Sequence, residues 1–455
     1  MHSLTTLLAF IAAVSILVTI HELGHYWVAR LCNVKILRFS VGFGRPLLLR
    51  RLGKDRTEWV IAALPLGGYV KMLDERDMEV AGDEKHRAFN RQPVWKRSAI
   101  VIAGPVANLL LACILYWVLF VQGIPGLKPH IAAPVAASAA AKAGFRDFDL
   151  IRRIADQEVS NFQDVRWQLL KEALKKGTVD IEVEDSAGNG ALRRLDLDTL
   201  TKEDLDQDFL IKLGLIPSRP PVTTVISDVL AGKPAARAGL EKGDRVVFAD
   251  GKPLRNWDDL VSIVSASAQR EIDIGVVRGD REIHIKVVPD DEADASGKRT
   301  GRIGIVPSID REAAQKLYTT VRYDPATALV KAIVKVGDMS VFSLKMMGRM
   351  ITGDVSLKNL SGPITIADYA GQSARQGLSV YIGFLALVSI SIGILNLLPV
   401  PVLDGGQLVY HVVEILKGSP VSERIMEVGQ QIGLALLLGL MVFAFYNDIQ
   451  RLVSG

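Results

Sequence analysis

The 455-residue sequence predicts a polytopic α-helical membrane protein with four transmembrane helices, two inserted mixed α/β domains and a membrane-associated β-hairpin. Three observations carry this. Four stretches are long and apolar enough to cross a bilayer. Hydrophobic residues make up 49% of the chain and the mean hydropathy is +0.25, as expected of a membrane protein with soluble parts. The long segment between the second and third apolar stretches contains an internal duplication. A net charge of +4 is too small on so long a chain to predict a nucleic-acid partner. The two cysteines, Cys32 and Cys113, each fall in or beside an apolar stretch and read as free thiols rather than a disulfide.

The first span runs from Ser3 to Ala29, in a segment 1–31, and Leu4 to Ile20 contains no charged side chain. It lacks a basic n-region and is too long for a cleaved signal peptide, so it is expected to be retained. Segment 32–97 follows. Between Arg30 and Arg97 there are 15 Lys or Arg against 8 Asp or Glu, which predicts a cytoplasmic loop. Within it, Pro46–Arg51 and Thr57–Ala63 flank Leu52-Gly53-Lys54-Asp55 as a hairpin, and Leu66–Val70 is a further candidate strand. The second span is 98–121.

The duplication comes next. Ala140-Ala141-Lys142-Ala143-Gly144 matches Ala235-Ala236-Arg237-Ala238-Gly239, Asp149 matches Asp244, and Asn161-Phe162-Gln163-Asp164 matches Asn256-Trp257-Asp258-Asp259, all at an offset of 95. Two strand-rich domains are predicted, 125–220 and 221–308. In the second, strands are expected at Val222–Ile226, Arg245–Phe248, Ile272–Val277 and Glu282–Val288, with helices at Pro234–Ala238 and Trp257–Ala266. Segment 309–376 contains Ala326–Met350, apolar on one face but carrying Lys331, Lys335, Asp338, Lys345 and Arg349, which predicts an amphipathic helix at the membrane interface rather than a fifth span. The third span is 377–402, a connection 403–427 follows, and the fourth span is 428–448. Four spans put both termini on the same side, and the basic flanks put the 32–97 loop and the 403–427 connection on the cytoplasmic side, with the duplicated region outside.

The chemistry sits in two places. His21-Glu22-Leu23-Gly24-His25 ends the first span. Two histidines four apart share one helix face and can hold zinc, with Glu22 beside them as a general base. Ionisable groups within a span are costly, and a metal offsets part of that cost. The third span ends Asn396-Leu397-Leu398-Pro399-Val400-Pro401-Val402-Leu403-Asp404-Gly405-Gly406, and Asp404 is the only carboxylate between Asp368 and Glu414. Two prolines break a helix there, and a carboxylate on a broken helix at membrane depth lines a cavity or binds an ion. An ordinary helix-end aspartate is the plainer alternative.

These two motifs, in this order, resemble the site-2 protease family of intramembrane zinc metalloproteases. Pro234–Leu260 resembles bacterial PDZ domains closely; the first copy does so less, because Phe145-Arg146-Asp147-Phe148-Asp149 replaces the usual Leu-Glu-Lys-Gly-Asp. Tandem PDZ domains match the regulator of sigma-E protease branch of the family, and the resemblance covers essentially the whole chain. It implies His21, His25 and Asp404 as zinc ligands, Glu22 as the general base, and a role for Asn396 on the substrate main chain. Gly104-Pro105-Val106-Ala107-Asn108 resembles a family G-P-x-x-N motif, whose small residues allow close helix approach. Gln407 stands where the family commonly has histidine. The hairpin region is expected to be membrane-associated and to offer substrate a strand edge, with Gly42, Phe43, Gly44, Gly67, Gly68 and Tyr69 as contacts.

The function implied is hydrolysis of a peptide bond in the transmembrane segment of a single-span protein in the bacterial inner membrane, such as an anti-sigma factor already cut once outside. The expected site lies toward the cytoplasmic side. The PDZ pair, periplasmic, would bind peptide ends or exclude bulky outer domains; membrane lipid is the surrounding partner and nucleic acid is not one. A membrane-tethered PDZ adaptor with a vestigial His-Glu-x-x-His is the rival class, separated by metal analysis.

Overall fold

A computed structural model describes residues 2–175, 177–201, 204, 208–293, 299–352 and 362–454. The chain forms two compact units, Met1–Ile124 with Val321–Ser454, and Pro125–Thr320. In the first unit the main helices are α1 (His2–Leu31), α2 (Val94–Gln122), α3 (Pro325–Ile351), α4 (Pro363–Gln376), α5 (Leu378–Asn396), α6 (Asp404–Lys417) and α7 (Glu423–Ser454). Among the described residues four helices are long and apolar enough to cross a membrane, Leu4–Leu31, Val94–Gln122, Leu378–Asn396 and Glu423–Gln450.

Helix α2 lies at the centre, packed on α1, α3 and α5. Small residues set the closeness of these crossings. A Cβ on Gly24 would lie 2.3 Å from the Ala103 carbonyl oxygen, and one on Gly393 would lie 3.1 Å from that of Pro105. The third span ends at Asn396, short of the expected 402, because Pro399 and Pro401 cannot continue a helix. The expected connection 403–427 instead holds a whole helix, α6, which stops at Gly418 in the left-handed region (φ +75°). Helix α7 begins at Glu423 rather than 428.

Between α1 and α2 the chain forms two long strands, β1 (Ile36–Leu52) and β2 (Thr57–Met72). Both bend, so they make four ladder segments instead of one hairpin. Residues 36–41 pair on one side with 68–72 (Phe39 opposite Val70), 38–41 pair on the other with 58–61 (Phe39 opposite Trp59), and 57–62 pair in turn with 46–52 (Val60 opposite Leu49). The outer segments, 68–72 and 46–52, each pair on one side only. The inner face rests on the C-terminal half of α1, with Phe39, Ile36, Tyr26, Ala29 and Ile100 forming one buried cluster. Leu47, Leu48, Leu49 and Leu64 are exposed on the sheet.

The α3 helix starts at an Asp324 cap, whose carboxylate accepts from the Ala326 and Thr327 N–H groups. Ala332 and Val336 bury against Tyr116 and Leu119 of α2 and Ile390 and Ile394 of α5. Leu329, Val330, Ile333 and Val334 stay exposed.

In the second unit the duplicated residues occupy equivalent places. One sheet has the strand order 157–158, 150–154, 178–184, 190–196; the other has 281–287, 272–278, 245–249, 222–229, 305–309. Asn161 and Asn256 cap the helices Phe162–Ala173 and Trp257–Ser265, each accepting from the N–H three residues on at 2.9 Å. Asp149 and Asp244 are both fully buried beside an arginine, Arg193 at 3.6 Å and Arg278 at 2.7 Å.

Candidate metal centre

Helix α1 presents His21 and His25 one turn apart, both buried, with their Nε2 atoms 3.2 Å from each other. Asp404 reaches them from α6. Its Oδ2 lies 3.2 Å from His21 Nε2 and 3.5 Å from His25 Nε2. The segment before α6 folds tightly to deliver it. A Cβ on Gly405 would lie 2.2 Å from the Leu398 carbonyl oxygen, and one on Gly406 would lie 2.2 Å from that of Val400. Only glycine lets the helix start fold back on the chain that leads into it.

Helix α2 forms the wall behind the two imidazoles. A Cβ on Gly104 would lie 2.3 Å from His25 Nε2 and 2.8 Å from His21 Cε1. His25 Nδ1 lies 2.8 Å from the Ile100 carbonyl oxygen. A carbonyl only accepts, so Nδ1 carries the proton and the Nε2 of the neutral ring keeps a lone pair. One turn beyond Gly104, the Asn108 carboxamide nitrogen lies 3.3 Å from His21 Nδ1, and Asn108 itself is completely buried. Its backbone carbonyl accepts from the Ser389 hydroxyl at 2.8 Å, which ties α2 to α5 at the same level.

The three candidate ligand atoms fit a zinc ion. Their separations of 3.2, 3.2 and 3.5 Å are close to the roughly 3.3 Å edge of a tetrahedron with metal–ligand bonds of about 2.0–2.1 Å. Asp404 Oδ2 is buried and takes no hydrogen bond. A buried carboxylate oxygen facing imidazole lone pairs is costly unless a cation lies between them. Two nitrogens and one oxygen from the protein, with a fourth position free for water or substrate, is the donor set of a hydrolytic zinc site.

Glu22 lies on α1 between the two histidines, and the β2 edge segment packs beside it. A Cβ on Gly68 would lie 3.3 Å from Glu22 Cγ and 2.7 Å from the Ser40 carbonyl oxygen, so glycine allows this strand to run against the helix. Gly67, Gly68 and Tyr69 all lie on that segment. Across the sheet, Gly42 and Gly44 have φ of +92° and +89°, where the strand bends. Phe43 stacks on Tyr69 with ring centroids 6.2 Å apart. Asn396 is the last residue of α5 and opens the segment leading to Asp404.

The structure thus brings His21, His25 and Asp404 together, with Gly68 against Glu22. It also adds residues that sequence reasoning left without a role at the site: Gly104, Asn108 and the Ile100 carbonyl. A second link joins α6 to α2 beyond the site. Arg97 donates to Glu414 at 2.6 Å, both largely buried, and Ser98 Oγ lies 3.1 Å from His411 Nδ1. Burial and the nearby Arg97 charge push His411 down to about 4. The sequence signal for the α2 residues was the Gly-Pro-x-x-Asn motif itself, which showed a close helix approach but not what approached.

Known proteins resemble this chain over nearly its whole length. Residues 9–440 match peptidase family M50. Regulator of sigma-E protease RseP of Salmonella typhimurium is 41% identical over 450 residues, covering 99% of both chains. Its Escherichia coli namesake is 40% identical over 447 residues, covering 98% of both. Regulator of sigma E protease of Haemophilus influenzae is 38% identical, covering 99% of this chain and 100% of that one. The chain therefore belongs to peptidase family M50, the site-2 proteases, in their regulator of sigma-E protease branch.

Proposed function

We propose that this protein is a zinc metalloendopeptidase of the inner membrane that hydrolyses a peptide bond within the transmembrane segment of a single-span protein. The observation that carries this reading is the convergence of His21, His25 and Asp404 within 4.8 Å, beside Glu22, with the histidines on a helix long and apolar enough to cross a membrane. His21 Nε2, His25 Nε2 and Asp404 Oδ2 would hold the zinc. When bound, it supplies a Lewis acid and lowers the pKa of water to roughly 7.

The chain's own residues do the rest. Glu22 takes a proton from the attacking water on its carboxylate and returns it to the leaving amine. A substrate helix hides its scissile carbonyl in backbone hydrogen bonds, so it must first be held extended. The outer segment around Gly67, Gly68 and Tyr69 pairs on one side only and runs beside Glu22. An extended substrate adding there as a further strand would have its backbone aligned with the general base. Gly42, Phe43 and Gly44 shape the bend beside it, and Asn396 supplies a carboxamide for the substrate main chain. The two domains at 125–220 and 221–308 are read as PDZ domains on the periplasmic side that bind peptide ends or turn away clients with bulky outer domains. An anti-sigma factor shortened by a first protease is the client this predicts, and the names of the relatives support that setting.

Purified protein should contain about one zinc per chain. Glu22→Gln keeps all three ligands, so it should retain zinc while cleavage of a model transmembrane substrate falls by about 10²–10⁴-fold. Cleavage at the wild-type rate would sink the assignment of Glu22, and protein without zinc would leave the adaptor reading in its place.

A further inference from the structure

A histidine that binds a metal through Nε2 must carry its proton on Nδ1, and something must accept that proton. His25 meets this requirement through the Ile100 carbonyl oxygen at 2.8 Å. The partner of His21 Nδ1 is the side chain of Asn108, at 3.3 Å. With the carboxamide nitrogen toward Nδ1, the amide donates, Nδ1 accepts, and the His21 proton is forced onto Nε2, facing His25 and Asp404. That tautomer cannot ligate. In the same orientation Asn108 Oδ1 is buried without a hydrogen-bond partner. The two ends of a carboxamide are nearly the same size, so a half-turn about its last bond exchanges them with little movement of neighbouring atoms. Oδ1 then accepts the Nδ1–H of His21, and the Nε2 lone pair points into the site.

Resting on the metal-centre reading above, we infer that Asn108 is a positioning residue: its carboxamide oxygen selects the ligating tautomer of His21 and holds the ring in plane. Three features of α2 serve this. Gly104 removes the side chain that would separate α2 from the imidazoles. Asn108 sits one helical turn on, with its Cα held by the Ser389 bond to its backbone carbonyl. Its complete burial excludes water as a substitute acceptor. The two histidines are therefore oriented from the same helix, one by a backbone carbonyl and one by a side chain, and only the second can be removed by mutation.

The test is the zinc dissociation constant of the full-length protein, measured by chelator competition, with thermal unfolding as a check on the fold. Asn108→Leu keeps the size but has no acceptor and should weaken zinc about 10–100-fold, the usual cost of losing such a partner. Asn108→Ser, too short to reach Nδ1, should weaken it similarly even if the leucine variant does not fold. Asn108→Asp keeps an acceptor at the same place and should restore affinity to within about threefold of wild type. Leucine or serine variants that hold zinc like wild type would overturn the inference while leaving the metal site standing. An aspartate variant as weak as the serine one would also overturn it, since packing alone would then be the role of Asn108. Wild-type protein that binds no zinc would instead remove the metal-centre reading, and this inference with it.

Discussion

Replacing Gly104 with alanine adds one methyl group where α2 meets the two imidazoles. Its Cβ would stand 2.3 Å from His25 Nε2, 2.6 Å from His25 Cε1 and 2.8 Å from His21 Cε1. Carbon rarely approaches another heavy atom within 3.0 Å, so at least 0.7 Å of movement (3.0 − 2.3) is needed at the closest contact. The His25 ring has little freedom to supply it. Nδ1 is held by the Ile100 carbonyl at 2.8 Å, on the same helix that carries the new methyl group. Moving α2 away instead would pull Ile100 and Asn108 from both histidines. Overpacking of this kind costs about 1–3 kcal/mol, against at most about 1 kcal/mol gained from alanine over glycine in a helix. The larger effect falls on the site. A shift approaching 1 Å at a reacting centre costs on the order of 100-fold in rate. Gly104→Ala should therefore lose zinc, read by metal analysis, and cleave a transmembrane reporter about 100-fold more slowly. Gly337→Ala in α3 is the control, because a Cβ there meets nothing within 4 Å. Full zinc content and wild-type cleavage in Gly104→Ala would refute the claim that α2 is pressed against the ligands.

Three further outcomes follow from the same geometry. Asp404→Asn exchanges a carboxylate oxygen for a weaker neutral ligand and should lower zinc affinity by at least 10-fold or so; unchanged metal content would remove Asp404 from the ligand set. His411 is pushed down to about 4 from an ordinary 6.5, so the folded state favours the neutral ring. The stability this contributes is present above pH 6.5 and is lost as pH falls from 6.5 toward about 4. His411 faces Arg97, Glu414, Arg76 and Ser98, and His411→Gln should flatten the fall in thermal midpoint over that range; an unchanged acid limb would place its origin elsewhere. Deleting residues 125–320, the separate compact unit, should leave zinc content intact but admit clients with uncut outer domains, and continued refusal of those clients would end the filter reading.

How much of this could be read from the sequence depends on how local each feature is. His21, Glu22 and His25 were legible because a helix repeats every 3.6 residues, so a five-residue motif fixes its own geometry. The strand and helix positions of the second duplicated domain were legible for the same reason: alternation is a short-range signal. Asp404 was visible only as a carboxylate in an unusual place, because nothing within the third span shows that its end folds back onto a helix from the start of the chain. The sheet was under-read. Alternation identifies strands, but it does not show that Gly42 and a second bend near Gly67 let two strands make four ladder segments. The end of the third span was overextended because hydropathy continued through Pro399 and Pro401 when the backbone could not.

The least legible part is also the part on which chemistry depends most. The ligands alone do not make a metal site, since a neutral imidazole offers its lone pair at either nitrogen and a buried carboxylate turns toward whatever cation is near. Here the choice is made by α2. The Ile100 carbonyl fixes His25, Asn108 stands at His21, Gly104 lets both approach, and Arg97 holds Glu414 on the helix that begins with Asp404. A single apolar helix with no metal ligand of its own thus orients both ligand-bearing helices. That division explains why the Gly-Pro-x-x-Asn segment reads as mere packing in the sequence: its role exists only once α1 and α6 are laid against it. It also means that substitutions on α2 should separate into two kinds. Those facing α3 and α5, such as at Ala112 or Leu119, should act on stability. Those at Gly104 and Asn108 should act first on the metal.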